Sequence, residues 1–182
     1  GKGVISCTPA DLDMVPASWD IDDGACVRID LGVLSAGDTL SFDVSADTNV
    51  DILLFSASSI SVYQNEQNYR LDSVWHSDSV FESFQGDGTW HWTAPDDRGD
   101  TRWYLVLDNM AHPQDQGEGA QAGSLATVVL DIEEVDSPIF GVVDTIVRLD
   151  SGGHSVLAGP LVLDEGTQVN IFVTTMQGAP DI

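Results

Sequence analysis

Short runs of strict apolar–polar alternation dominate this chain and leave little room for any class but all-β. Val27, Ile29 and Leu31 alternate with Arg28 and Asp30. Leu40, Phe42 and Val44 alternate with Ser41, Asp43 and Ser45. Trp103, Leu105 and Leu107 share one face of a later run, Tyr104 and Val106 share the other, and Val128, Leu130 and Ile132 supply a fourth. A two-residue period puts successive side chains on opposite faces of a strand. Turn-forming residues punctuate the runs at Ser35-Ala-Gly-Asp38, at Gln85-Gly-Asp-Gly88 and in a Pro- and Gly-bearing loop over 111–123. Nothing longer than a turn or two has the 3.6-residue period of an amphipathic helix. Several short strands at this spacing predict an antiparallel β-sandwich of jelly-roll or immunoglobulin-like kind, or a barrel.

The charge agrees with that class. Six Lys and Arg face 30 Asp and Glu, for a net charge of −24. Only six of the 30 acids are Glu, so 24 are Asp, the carboxylate that favours turns and loop ends over helices. Repulsion from phosphates argues against nucleic acid as a partner, and against direct insertion into an anionic membrane surface. The longest strongly apolar stretch, Ile52 to Phe55, is far too short to span a bilayer. An apolar fraction of 42% is ample for a packed core. Dense carboxylates suit a salty or calcium-rich exterior, which screens or binds them; simple solubility explains them equally well.

Cys7 and Cys26 are the only cysteines. With no Cys-x-x-Cys motif, a disulfide closing the 7–26 segment is the favoured reading. It implies an oxidising compartment, hence an extracellular or cell-surface location. No signal peptide is visible in the opening Gly-Lys-Gly-Val-Ile-Ser-Cys, consistent with a mature exported fragment.

An internal echo organises the rest. Val27-Arg-Ile-Asp30 returns as Val147-Arg-Leu-Asp150, and Val33-Leu-Ser-Ala-Gly37 as Val162-Leu-Asp-Glu-Gly166. Leu40, Phe42 and Val44 match Val169, Ile171 and Val173, and Asn49-Val-Asp-Ile52 matches Ala179-Pro-Asp-Ile182. Four blocks in order predict a repeat. The expected organisation is an acidic N-terminal segment over 1–25, a sandwich over 26–136, and the opening strands of a second, incomplete sandwich over 137–182.

Within the first unit, Leu40-Ser-Phe-Asp-Val44, Asn49-Val-Asp-Ile-Leu-Leu-Phe55, Thr89-Trp-His-Trp-Thr-Ala-Pro95 and Arg102-Trp-Tyr-Leu-Val-Leu-Asp-Asn109 bracket a variable middle. In this the stretch from about Cys26 to Glu133 resembles the β-sandwich modules of the GOLD and pre-peptidase C-terminal (PPC) type. The resemblance implies a non-catalytic accessory module of exported enzymes or envelope proteins, and it transfers no catalytic residue.

Candidate binding residues fall into a few groups. Asp11, Asp13, Asp20, Asp22 and Asp23 crowd between the cysteines, and hard oxygen ligands on a short bent loop are what Ca²⁺ requires. A solvated acidic loop satisfies the same pattern, and the EF-hand spacing is absent. Asp96, Asp97 and Asp100 form a second cation candidate, and Asp108, Asn109, Asp115 and Glu118 a third. Trp90 and Trp92 share a strand face with Trp75 nearby in sequence, and exposed rings of this kind stack on sugars; as core anchors they need no ligand. His76, His91, His112 and His154 show no metal spacing, and Arg98-Gly99-Asp100 is too short a match to an adhesion tripeptide to count. No nucleophile elbow, P-loop or dinucleotide fingerprint occurs, so an enzyme is not expected. Other extracellular domains, copies of the same chain and glycans are the expected partners.

Overall fold

In a computed structural model, residues 4–69, 80–95, 99–114 and 123–135 are described, with the side chains of 80–83 set aside. The proposed repeat over 137–182, Trp75, His76, Asp96, Asp97, Asp115, Glu118 and His154 lie outside them. The strands are β1 (Thr8–Asp11), β2 (Ala17–Ile21), β3 (Ala25–Leu34), β4 (Thr39–Ser56), β5 (Val80–Thr93), β6 (Thr101–Asn109) and β7 (Ala126–Glu134). One five-residue helix, α1 (Ile60–Gln64), is the longest α-helix among the described residues. The fold is all-β, as the alternation predicts.

All seven strands join in one curled sheet of order β1-β3-β6-β4-β7-β2, with β5 on a further edge of β4. β4 is the spine. Its first half, Leu40–Ala46, pairs with β7 and its second half, Asp51–Ser56, pairs with β6. Along its other edge β5 accompanies it from Thr39 to Leu53. Register shifts over Ala46–Ile52 mark the bend between the halves, as bulges do when they re-aim a strand. The strands therefore divide into one arm of β2, β7 and early β4, and another of late β4, β6, β3 and β1.

The main core draws on both arms. Leu40, Phe42 and Val44 from early β4 join Ile52 and Leu54 from late β4, Ile29 from β3, Leu105 and Leu107 from β6, and Val128 and Leu130 from β7. The second arm is covered on its outer face too: Leu53, Phe55 and Val106 pack with Cys26, Ile60, Tyr63 and Tyr69. Residues buried on both faces explain why Ile52-Leu-Leu-Phe55 reads as a continuous apolar run rather than as an alternation.

Two details depart from the sequence expectation. Gln85-Gly-Asp-Gly88 is not a chain reversal; β5 runs through it. Gly86, at φ +92°, takes up the irregularity opposite Ala46 while pairing continues on either side. The sheet is also not purely antiparallel, because β1 lies parallel to β3, Thr8 beside Val27. The acidic segment before Cys26 thereby contributes two strands, β1 beside β3 and β2 beside β7.

A bulge in β3 sets which residues face the core. Pairing with β6 slips between Asp30 and Gly32. Gly32 adopts φ +80° and donates its N–H to Asp30 Oδ1 at 2.8 Å. The extra residue inverts the alternation, so Val27, Ile29 and Leu31 are succeeded inward by Leu34, while Val33 is 59% exposed. A Cβ at position 32 would meet no atom within 4 Å, so Gly32→Ala carries a purely conformational cost. It should lower stability in urea unfolding by about 1–2 kcal/mol.

Candidate functional site

The outer face of the first arm carries a grid of carboxylates. Odd-numbered residues of early β4 point away from the core, since Phe42 and Val44 are buried and Asp43 is exposed. Across the strands, Asp43 is directly opposite Asp131 of β7 and Thr89 of β5. On one side of that row lie Ser41, Glu133 and His91; on the other lie Ser45, Val129 and Asp87, extended by Ser18 of β2. Asp20, Thr127 and Asp47 follow: Thr127 donates its hydroxyl to Asp20 Oδ1 and its backbone N–H to Asp47 Oδ1, each at 2.8 Å. Thr89 donates its hydroxyl to Asp43 Oδ1.

This surface holds like charges face to face. Directly opposed side chains on antiparallel strands have Cβ atoms about 5 Å apart, and like charges there are destabilising. The described residues include two arginines, Arg28 and Arg102, and both belong to the other arm. Arg102 donates to both oxygens of Asp30 at 2.7 Å, a contact that holds its guanidinium above its ordinary pKa. Arg28 lies over the Tyr104 ring, 5.2 Å from its centroid. Among the described residues the cationic side chains are thus confined to the second arm. Asp131→Asn should relieve the repulsion and raise stability by about 0.2–1 kcal/mol, read as a higher urea midpoint that converges on wild type in high salt.

A second polar cluster is buried. Asp51 and Asp108 are opposed on β4 and β6 and both fully buried. Tyr63 of α1 donates its hydroxyl to Asp108 Oδ2, and the Met110 N–H binds Oδ1, each at 2.7 Å. His112 stacks on Tyr63. Its Nε2 lies 3.0 Å from the Tyr63 carbonyl and its Nδ1 accepts from the Gln114 N–H, so the neutral Nε2–H tautomer satisfies both contacts. The arrangement ties α1 and the chain after β6 onto the sheet. Tyr63→Phe should cost about 1–3 kcal/mol in chemical unfolding, because a buried carboxylate loses a hydrogen-bond donor.

Cys7 and Cys26 form the expected disulfide. It joins the N-terminal segment to β3 against the second core, where Ile5 and Cys7 pack, and fits an extracellular or cell-surface location.

The other candidate residues are spread more widely. Asp11 ends β1, Asp13 lies in the 3-10 turn after it, Asp20 is on β2, and Asp22 and Asp23 are in the turn leading to β3. Among the described residues no group of three or more His, Cys, Asp or Glu is placed to hold a metal ion, and Asp100 is exposed. Asp108 is engaged as above, and Asn109 donates its amide to the carbonyls of Ile21 and Ser124, clamping β6 to β2. Trp92 is 3% exposed and packs edge-on to Trp103. Trp90 is half-buried and stacks on Phe42 at 4.9 Å. Both rings face the core, so the shared strand face that suggested a sugar platform is the inner one.

No family model and no curated protein matches the chain. Among solved structures it is loosely similar to a periplasmic lysozyme inhibitor of g-type lysozyme from Aeromonas hydrophila (TM-score 0.41, 11% identity, 70% of this chain and 98% of that one). A similarly loose match is CorA, a surface-associated copper-binding protein of Methylomicrobium album BG8 (TM-score 0.38, 10% identity, 73% of this chain and all of that one). At such scores neither likeness bears on what this chain does.

Proposed function

We propose that this chain is a non-catalytic β-sandwich module of the GOLD or PPC kind, serving as a spacer, adhesion or ligand-binding domain of a larger exported or envelope protein. The observation that carries this reading is the Cys7–Cys26 disulfide, built into the packing of β3 rather than appended to a loose end. Such a link persists outside the reducing cytosol. The inner faces of the curled sheet are filled by side chains such as Phe42, Trp92 and Leu105, which suits a framework that presents its outer surfaces.

A second reading is an assembly subunit completed by edge-strand pairing. It is favoured by β1 and β2, which end the strand order and, among the described residues, each pair with one neighbour, β3 and β7 respectively. The end strand of a sheet is a template for another strand.

Light-scattering mass over a concentration series, in calcium and then in EDTA, separates the two. A constant monomer mass in both buffers is expected for the module. Growth to dimers or polymers would overturn it in favour of the assembly subunit, and reversal by EDTA would assign the cross-link to calcium.

A further inference from the structure

We propose that the edge of β3 that β1 occupies is also the docking site for residues 4–11 of a second copy of this chain, and that the Cys7–Cys26 disulfide is the latch that holds each segment on its own sheet. Both readings above leave the segment at home, and neither depends on its exchange.

Among the described residues, little besides the bridge holds it there. β1 is four residues long, lies parallel to β3 and pairs with β3 alone. Ala10 is its single buried side chain, while Thr8, Pro9 and Asp11 are exposed. Ahead of it, Ile5 and Cys7 pack against the second core, and the Ile5 N–H donates to the Gln64 carbonyl at 2.8 Å. The main core is built on the other strands, with Phe42, Ile52, Leu105 and Val128 among its members, so it keeps its packing when the segment leaves. A short segment with so small an apolar contribution scarcely offsets the entropy of ordering it.

What the segment docks on stays with the body of the protein. Val27 to Asp30, Gln64 and Cys26 present the same partners to any copy of residues 4–11. Docking at home and docking on a neighbour therefore differ only in the linker. That linker is residues 12–16, between β1 and β2, and β2 is secured to β7 on the first arm. Its 3-10 turn, Leu12–Met14, has no buried residue and no side-chain cap. Straightening the turn gains about 1 Å per residue and extends its reach toward a neighbour. Residues 4–10 are uncharged, so two copies of net charge −24 can share them without setting carboxylates face to face.

The latch opens by thiol–disulfide exchange. A small dithiol attacks the sulfur of Cys7, which is half-buried where Cys26 is 2% exposed. Two electrons and two protons pass to the protein, leaving two thiols, and the dithiol departs as its cyclic disulfide. Closure between copies is the reverse. Cys7 of one and Cys26 of the other lose two electrons and two protons to a small-molecule disulfide, which is reduced to two thiols.

Single-thiol variants separate exchange from random cross-linking. Cys7→Ser keeps Cys26, and Cys26→Ser keeps Cys7. After near-UV circular dichroism has checked their folding, the two are mixed with oxidised glutathione in molar salt, where a Debye length of about 3 Å suppresses repulsion between acidic chains. Exchange predicts at least about ten-fold more covalent dimer from the mixture than from either variant alone, with a Cys7–Cys26 link in the digested product. No more dimer from the mixture than from the separate variants overturns the proposal. If either variant does not fold, isotopically heavy and light wild-type chains are reduced, mixed and reoxidised. Cys7–Cys26 peptide pairs of mixed isotope are then expected, and pairs of one isotope alone overturn exchange. Loss of the near-UV signal on reducing the wild type overturns it too, because the bridge would then support the whole sheet rather than a detachable segment. Heavy and light chains mixed without reduction should yield no mixed pairs; their appearance would remove the disulfide's part as latch.

Discussion

Everything in this fold hangs on β4 serving two neighbours in succession. Its early half pairs with β7 and its late half with β6, while β5 follows the opposite edge through the bend. One strand carrying two sets of hydrogen bonds obliges the sheet to curl, because β6 and β7 meet β4 on the same edge and must diverge from it. The curl brings Phe42, Leu54, Leu105 and Val128 into one core, and every later feature inherits its orientation from that enclosure.

The curl also sorts chemistry by arm. The second arm is covered outside as well as inside, by α1, Tyr69 and the segment around Cys7, and beside that cover its outer face carries Arg28, Asp30 and Arg102. The outward positions of the first arm are mostly Ser, Thr, Asp and Glu, with Val129 and His91 among them. Where α1 packs on late β4 the strand is apolar on both faces, and in early β4 the alternation survives.

Much of this was legible in the residues. Alternation in β3, β4, β6 and β7, the Ser35–Asp38 turn, the two faces of β6 and the disulfide all follow from local pattern. The Ser35 carbonyl does accept from the Asp38 N–H, with Asp38 reaching back to the Ser35 N–H. What was illegible depends on partners remote in the chain. Gln85–Gly88 has turn composition, yet its neighbour on β4 holds it extended. Val33 looks as apolar as Leu34, and only the bulge at Gly32 puts it outside. Trp90 and Trp92 share a face as the spacing says, but which face depends on pairing with Leu40 and Phe42. The Asp43–Asp131 opposition joins residues far apart in sequence, so no local motif announces it.

The covalent link has a mechanical corollary. Tension applied from the N-terminal side reaches Cys7 and passes through the sulfur bridge to Cys26. Residues 8–25, which include β1 and β2, form a closed loop outside that line of force and cannot be drawn out while the bridge stands. The load enters at the start of β3, which lies antiparallel to β6 over nine paired positions from Ala25 to Leu34. Its ladder then bears the pull along much of its length, rather than opening one bond at a time from a frayed terminus.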